Sequence, residues 1–195
     1  MRRMRGEISW YVDENKKGKT DSMLMDWLRL IKVMFMIAKS RDIRLLLDNI
    51  RSVHNVGSIF RTAETIGVTY IYCLGTTPVP VDRFGQKRGD FAKVALGAED
   101  IVRWKHVDIP ANLLRGLKKD GFTFVALEQA DNSVDYKKVR RRQKMLIIIG
   151  NEVDGVSKKL LDSSHFVAEI PMKGKKESLN VSVATGIFLY RLMDQ

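Results

Sequence analysis

Met145-Leu146-Ile147-Ile148-Ile149-Gly150-Asn151-Glu152-Val153-Asp154-Gly155 is the stretch on which the fold turns. Side chains alternate between the two faces of a strand, so a continuously apolar run from Met145 to Ile149 has no face suited to water. Such a run reads as a central parallel strand covered on both sides. It breaks off into a polar segment bounded by Gly150 and Gly155. Ligands of open α/β sheets bind beyond the carboxyl ends of the strands, and glycine lets a ligand come close to the main chain. Gly150 to Gly155 is therefore the first candidate ligand loop.

Working outward, shorter apolar or β-branched runs occur at Ile43 to Leu47, Thr69 to Leu74, Phe122 to Leu127 and Phe166 to Ile170. Helix-like segments separate them: Asn55 to Ile66, Asn112 to Lys119, Ser157 to Asp162 and Ser178 to Met193. Alternating strands and helices predict an α/β fold, a parallel sheet with helices on both faces. Gly67 and Gly121 stand where C-terminal caps belong. A chain of 195 residues fits one domain with an extension. Residues 41–195 carry the α/β pattern. Residues 1–40 form the expected N-terminal extension, a charged and flexible lead-in to about residue 21 followed by a helix over Met23 to Ile37.

Thirty-four Lys and Arg against twenty-three Asp and Glu give a net charge of +11, which attracts polyanions, nucleic acid foremost, without specifying a sequence. The single cysteine, Cys73, sits in an apolar run and can form no internal bridge, so it reads as a core residue of a cytoplasmic protein. The apolar stretch Met23 to Ala38 is broken by Asp26, Arg29 and Lys32, which excludes a membrane span. Glu7, Asp13 and Glu14 speak against a signal peptide. There is no phosphate-loop motif, no G-x-G-x-x-G after a strand and no Cys/His pairing at zinc spacing, so no metal site is expected. His54, His106 and His165 are scattered and suggest no hydrolase triad.

On a helix from Asn55 to Ile66, Val56, Ile59, Phe60, Ala63 and Ile66 share one stripe and Arg61 points away from it. Arg61 then faces solvent, a partner or a ligand. Asn55 reads as the helix N-cap. The segment Ser178 to Met193 is apolar around its whole circumference, which predicts burial, with a homodimer partner or its own domain covering the second face. Its first turn, with Ser178 and Asn180, either caps itself or offers donors to an anion. Basic clusters stand at Lys137 to Lys144, Arg83 to Arg88 and Lys173 to Lys176. The third, beside the proposed site, is the best placed to hold an RNA phosphate.

Three ordered segments carry a family resemblance. They are Leu47 to Ala63 (LDNIRSVHNVGSIFRTA), Ile149 to Gly155 (IGNEVDG), and Ile170 to Gly174 (IPMKG) running into Ser178 to Ala184 (SLNVSVA). Together they resemble the SpoU family of SPOUT RNA methyltransferases. The resemblance implies an α/β fold closed by a C-terminal trefoil knot, with S-adenosyl-L-methionine bound in the knot. It implies main-chain cofactor contacts at Gly150, Ile170 and Leu179. Leu127, Asn151, Glu152, Gly155, Met172, Ser178 and Asn180 are expected near the cofactor. Arg61 resembles the catalytic arginine, Asn55 and Glu152 its supporting polar residues, and Ser178 and Asn180 the C-terminal site residues. The implied activity is methylation of a ribose 2'-hydroxyl of tRNA or rRNA by a homodimer. The competing expectation is a non-catalytic RNA-binding or ribosome-assembly protein on the same fold.

Overall fold

The computed structural model describes residues 27–28 and 41–195. By its internal contacts the chain divides into Met1–Ser40 and Arg41–Gln195. In the first unit Trp27 and Leu28 are helical and exposed. The rest of the helix expected over Met23 to Ile37, and the expected lead-in, lie outside the described residues.

In the second unit the strands are β1 (Asp42–Asp48), β2 (Tyr70–Leu74), β3 (Arg103–Val107), β4 (Thr123–Leu127), β5 (Val134–Asp135), β6 (Lys144–Ile149) and β7 (Phe166–Glu169). The helices are α1 (Val53–Ile66), α2 (Gly89–Ala95), α3 (Ala98–Ile101), α4 (Ala111–Lys119), α5 (Lys158–Ser163) and α6 (Val181–Met193). The strands form one seven-stranded sheet in the order β3-β2-β1-β6-β4-β7-β5. Every pairing is parallel.

The run Met145 to Ile149 lies in β6, between β1 and β4, with Ile147 in register with Leu45 on one side and Val125 on the other. The pleat sorts its side chains between two cores. Met145, Ile147 and Ile149 join Ile43, Leu45, Leu47, Ile71 and Cys73 beneath α1, α2, α3 and α6. Leu146 and Ile148 join Leu46, Tyr72 and Leu74 beneath α4 and α5. Each fully buried Leu or Ile contributes about 1.5–3 kcal/mol relative to exposure. Burial also pushes the Cys73 thiol up to about 12, which leaves it protonated and inert at neutral pH.

Helix α1 is capped by Ser52, whose hydroxyl accepts from Asn55 N at 3.2 Å, and it closes on Gly67 at φ 81°. Asn55 is thus not the cap expected from the sequence: a serine three residues earlier takes that role and frees the Asn55 side chain. Helix α6 starts at Val181 rather than Ser178, because the Asn180 side chain accepts from Ser182 N at 2.9 Å and Val183 N at 3.4 Å. Nor is α6 enclosed all round. Thr185, Phe188, Leu189 and Leu192 are buried, whereas Val183, Ile187 and Tyr190 are 50%, 37% and 54% exposed. Only one face of α6 reaches the core and α1, and an apolar stripe at i, i+4 and i+7 is left outside.

Candidate ligand cleft

Strands β6, β4 and β7 are neighbours, and the loops leaving their carboxyl ends meet the start of α6 around a cleft of about 640 Å³. That volume suits a small-molecule ligand. Leu127, Gly150, Asn151, Glu152, Gly155, Ile170, Met172, Ser178, Leu179 and Asn180 all line it, apolar side chains alternating with a few polar ones.

The first wall is a tight hairpin. Asn151 and Gly155 exchange two main-chain hydrogen bonds of 3.2 Å, and the Asn151 carboxamide oxygen accepts from Val153 N and Asp154 N at 2.8 Å. A Cβ on Gly150 would collide with the main chain of Gly155 and Val156, and one on Gly155, which has φ 68°, would collide with the Glu128 carboxylate. Both glycines therefore serve the loop's own closure before they serve any ligand.

Glu128, absent from the sequence-based site, braces this wall: its carboxylate accepts from Val156 N at 2.8 Å and from Gln129 N at 2.9 Å. Gln129 in turn donates to Glu177 O at 2.8 Å, tying the β4 loop to the segment before α6. Their position immediately after β4, beyond a strand's carboxyl end, was the available signal.

A polar chain crosses from α1 to α6. Asn55 Nδ2 donates to Glu152 Oε1 at 2.6 Å, and Asn180 Nδ2 donates to Asn55 Oδ1 at 3.0 Å. Its direction follows from the helix end. Because Asn180 Oδ1 accepts the N–H groups of α6, the amide nitrogen must face Asn55, which turns the Asn55 nitrogen toward Glu152. The three residues come from sequence positions far apart, and the fold brings them together.

Arg61 stands apart from them. It is exposed, does not line the cleft and has no hydrogen-bond or ion-pair partner among the described residues. Helical geometry puts it about 9 Å along α1 from Asn55 and about 120° around the axis.

The basic clusters separate clearly. Lys173 to Lys176 are exposed and lie between the lining residues Met172 and Glu177. Lys144 opens β6 beside Asp42 of β1, at the opposite end of the sheet from the cleft. Arg141 is engaged at the end of α6, its guanidinium donating to Met193 O at 2.8 Å. Among the described residues no group of His, Cys, Asp and Glu could hold a metal ion, and no helix is long and apolar enough to cross a membrane.

A parallel α/β sheet with a small-molecule cleft beyond three adjacent strand ends, stitched to its last helix by paired carboxamides, defines the class. The chain belongs to the SpoU rRNA methylase family, whose pattern matches residues 42–190. It is 32% identical over 178 residues to the tRNA (guanosine(18)-2'-O)-methyltransferase of Aquifex aeolicus (strain VF5), covering 89% of this chain and 81% of that one. The crystal structure of the A. aeolicus TrmH/SpoU tRNA modifying enzyme superposes with a TM-score of 0.70 at 31% identity, over 80% of this chain and 76% of the other. An AdoMet-bound rRNA methyltransferase from Sinorhizobium meliloti superposes with a TM-score of 0.70 at 27% identity, over 78% of this chain and 56% of the other. This chain thus spans little more than half of that larger protein.

Proposed function

We propose that this chain transfers the methyl group of S-adenosyl-L-methionine to a ribose 2'-hydroxyl of tRNA or rRNA. The observation that carries the reading is the cleft itself, in which the Glu152–Asn55–Asn180 chain closes a ligand-sized space at the carboxyl ends of β6, β4 and β7. The cleft fits the cofactor: Leu127, Ile149, Ile170 and Leu179 offer apolar walls to a flat base, and Glu152 and Asn180 offer polar groups to the rest. The cofactor supplies an electrophilic methyl on a sulfonium.

The chain's own residues bind, orient and stabilise. Gly150, Ile170 and Leu179 present main chain to the cofactor, with Asn151, Gly155, Met172 and Ser178 beside it. Arg61 is the catalytic group toward the RNA. A hydroxyl is a poor nucleophile until deprotonated, yet a guanidinium with a pKa above about 12 stays protonated and cannot serve as the base. Arg61 therefore positions the ribose and stabilises the developing alkoxide, and an RNA phosphate relays the proton to water. Fixing the two reactants in line supplies much of the remaining acceleration.

Residues 41–195 form the methyltransferase domain, with residues 1–40 an extension. The segment after β7, whose Ile170, Met172 and Glu177 to Asn180 line the cleft, threads a trefoil knot. The apolar stripe Val183, Ile187 and Tyr190 is the homodimer face, and the dimer brings Arg61 of one chain to the cleft of its partner. The buried thiol of Cys73 and the RNA substrate suit the cytoplasm.

Incubation with tritiated S-adenosylmethionine and RNA tests the reading. Wild type transfers label to ribose 2'-oxygens, and Arg61→Ala loses transfer while binding the cofactor normally. Full activity in Arg61→Ala removes the role given to that residue. Cofactor binding without any modified nucleotide in cellular RNA replaces the enzyme with an RNA-binding or assembly protein.

A further inference from the structure

A second feature suited to RNA lies outside the cleft, in the segment after β2. Val81 pairs antiparallel with Lys87, and the turn between them is held by its own hydrogen bonds. The Asp82 carboxylate accepts from Phe84 N at 2.8 Å and Gln86 N at 2.9 Å. Asp82 N donates to Gln86 O at 2.8 Å, and Gly85 N donates to Asp82 O at 3.0 Å. At the base Arg88 N donates to Pro80 O at 2.9 Å, Pro80 is buried and Val79 packs on the core. This hairpin presents Phe84, 72% exposed, with the Arg83 guanidinium 4.7 Å from its ring centroid. A single exposed apolar residue is ordinary, but an aromatic held at a braced tip with a cation against its ring has little conformational entropy left to lose on binding.

The ion pairs show which charge is available. Lys87 Nζ lies 2.6 Å from Asp100 and Arg88 Nη2 lies 2.7 Å from Asp90, so both are answered within the chain. Arg83 has no carboxylate partner among the described residues. Its charge is left for an external anion, and the net charge of +11 favours a polyanion.

Position favours the same partner. The hairpin follows the carboxyl end of β2, the end of the sheet at which the cleft opens, and β2 is two strands from β6, about 10 Å. It runs on into α2, which packs on α1 through Val94 at Gly57 and Phe91 at Phe60. Helix α1 carries Asn55 and Arg61.

We propose that Phe84 is a stacking platform for an unpaired RNA base, with Arg83 holding a neighbouring phosphate. The proposal rests on the reading of the chain as an RNA methyltransferase and specifies how its substrate is held. Residues in single-stranded loops are the ones a protein can splay out, and a base so exposed gains by stacking on an aromatic ring regardless of its identity.

Fluorescence anisotropy of the full chain with a labelled single-stranded RNA of mixed sequence, beside an RNA duplex of equal length, tests this. Phe84→Ala weakens single-strand binding about tenfold and leaves duplex binding unchanged. Phe84→Trp and Phe84→Tyr bind like wild type, and Phe84→Leu does not. Arg83→Ala lowers the slope of log affinity against log salt by about 1, whereas Phe84→Ala leaves it unaltered. Unchanged single-strand binding in Phe84→Ala overturns the platform, as does full binding by Phe84→Leu. A shifted sedimentation coefficient with RNA affinity intact assigns the tip to chain–chain contact and also overturns it. Methyl transfer measured in parallel separates the two readings. Phe84-dependent binding without transfer sinks the enzyme and leaves the platform, while transfer with Phe84-independent binding sinks the platform alone.

Discussion

Asn55 Nδ2 lies 2.6 Å from Glu152 Oε1 although 97 residues separate them in the chain. The bond fastens the first helix of the sheet to the loop after its central strand, and Asn180, 125 residues from Asn55, extends it to the last helix. Because these contacts are exposed, their worth lies in placing groups around the cleft more than in holding the fold.

Replacing Asn55 by Ala therefore costs less than about 1 kcal/mol of stability, while methyl transfer falls on the order of tenfold or more. Asn55→Asp falls further, since two carboxylates then face one another. Adding Glu152→Gln to Asn55→Asp restores one donor and one acceptor with the bond reversed. The double variant should exceed the product of the two single effects, measured as a double-mutant cycle on transfer rate.

Gly150→Ala drives a Cβ into the main chain of Gly155 and Val156. Overpacking of this kind costs about 1–3 kcal/mol, a fall of about 5 °C in melting temperature for a chain this size. Calorimetric titration should find cofactor affinity reduced as well, because the displaced hairpin is a wall of the cleft. A variant with wild-type melting and binding would show that the hairpin can relax without consequence.

Val183→Asp and Ile187→Asp place a charge in the exposed stripe of α6. Sedimentation should show a dimer for wild type and a monomer for either variant, with transfer lost from the monomer. A wild-type protein that is monomeric and active would refute the dimer.

The acid limb of stability should respond to Asp42. Burial alone would raise its carboxyl, but hydrogen bonds from Arg44 and Thr69, with the nearby positive charge of Arg44 and Lys144, hold it below its ordinary 3.8. A carboxylate lowered in the folded state adds stability that is present above the unfolded value and disappears as pH falls through the folded one. Urea unfolding of Asp42→Asn between about pH 2 and pH 5 should give a flatter dependence than wild type. Parallel profiles for the two proteins would remove Asp42 from the account.

The centre of the sheet was legible because Leu45 to Leu47 of β1 and Met145 to Ile149 of β6 are buried and apolar without a break, as strands covered on both faces must be. Its edge was not. Strand β3 reads Arg-Trp-Lys-His-Val, with Arg103 and Lys105 exposed, and strand β5 has two residues, so neither shows a hydrophobic period. Helices α2 and α3 are too short for one. The cleft residues were readable from the family motifs, but Glu128 and Gln129 were not, because their roles depend on main-chain groups of Val156 and Glu177 that meet them only in the folded chain. The exposed stripe of α6 was visible as apolar sequence. Which face stayed outside depended on where α1 lies.

The side of the cleft formed by Glu177 to Asn180 comes after every strand of the sheet. A chain emerging from the ribosome has thus laid down all the strands, with both glycines of the first wall, before this side exists. Its closure waits for Asn180 to find a helix made 125 residues earlier, a long-range and intrinsically slow contact. Until Ser178, Leu179 and Asn180 have been made, the growing chain therefore lacks one side of the cleft.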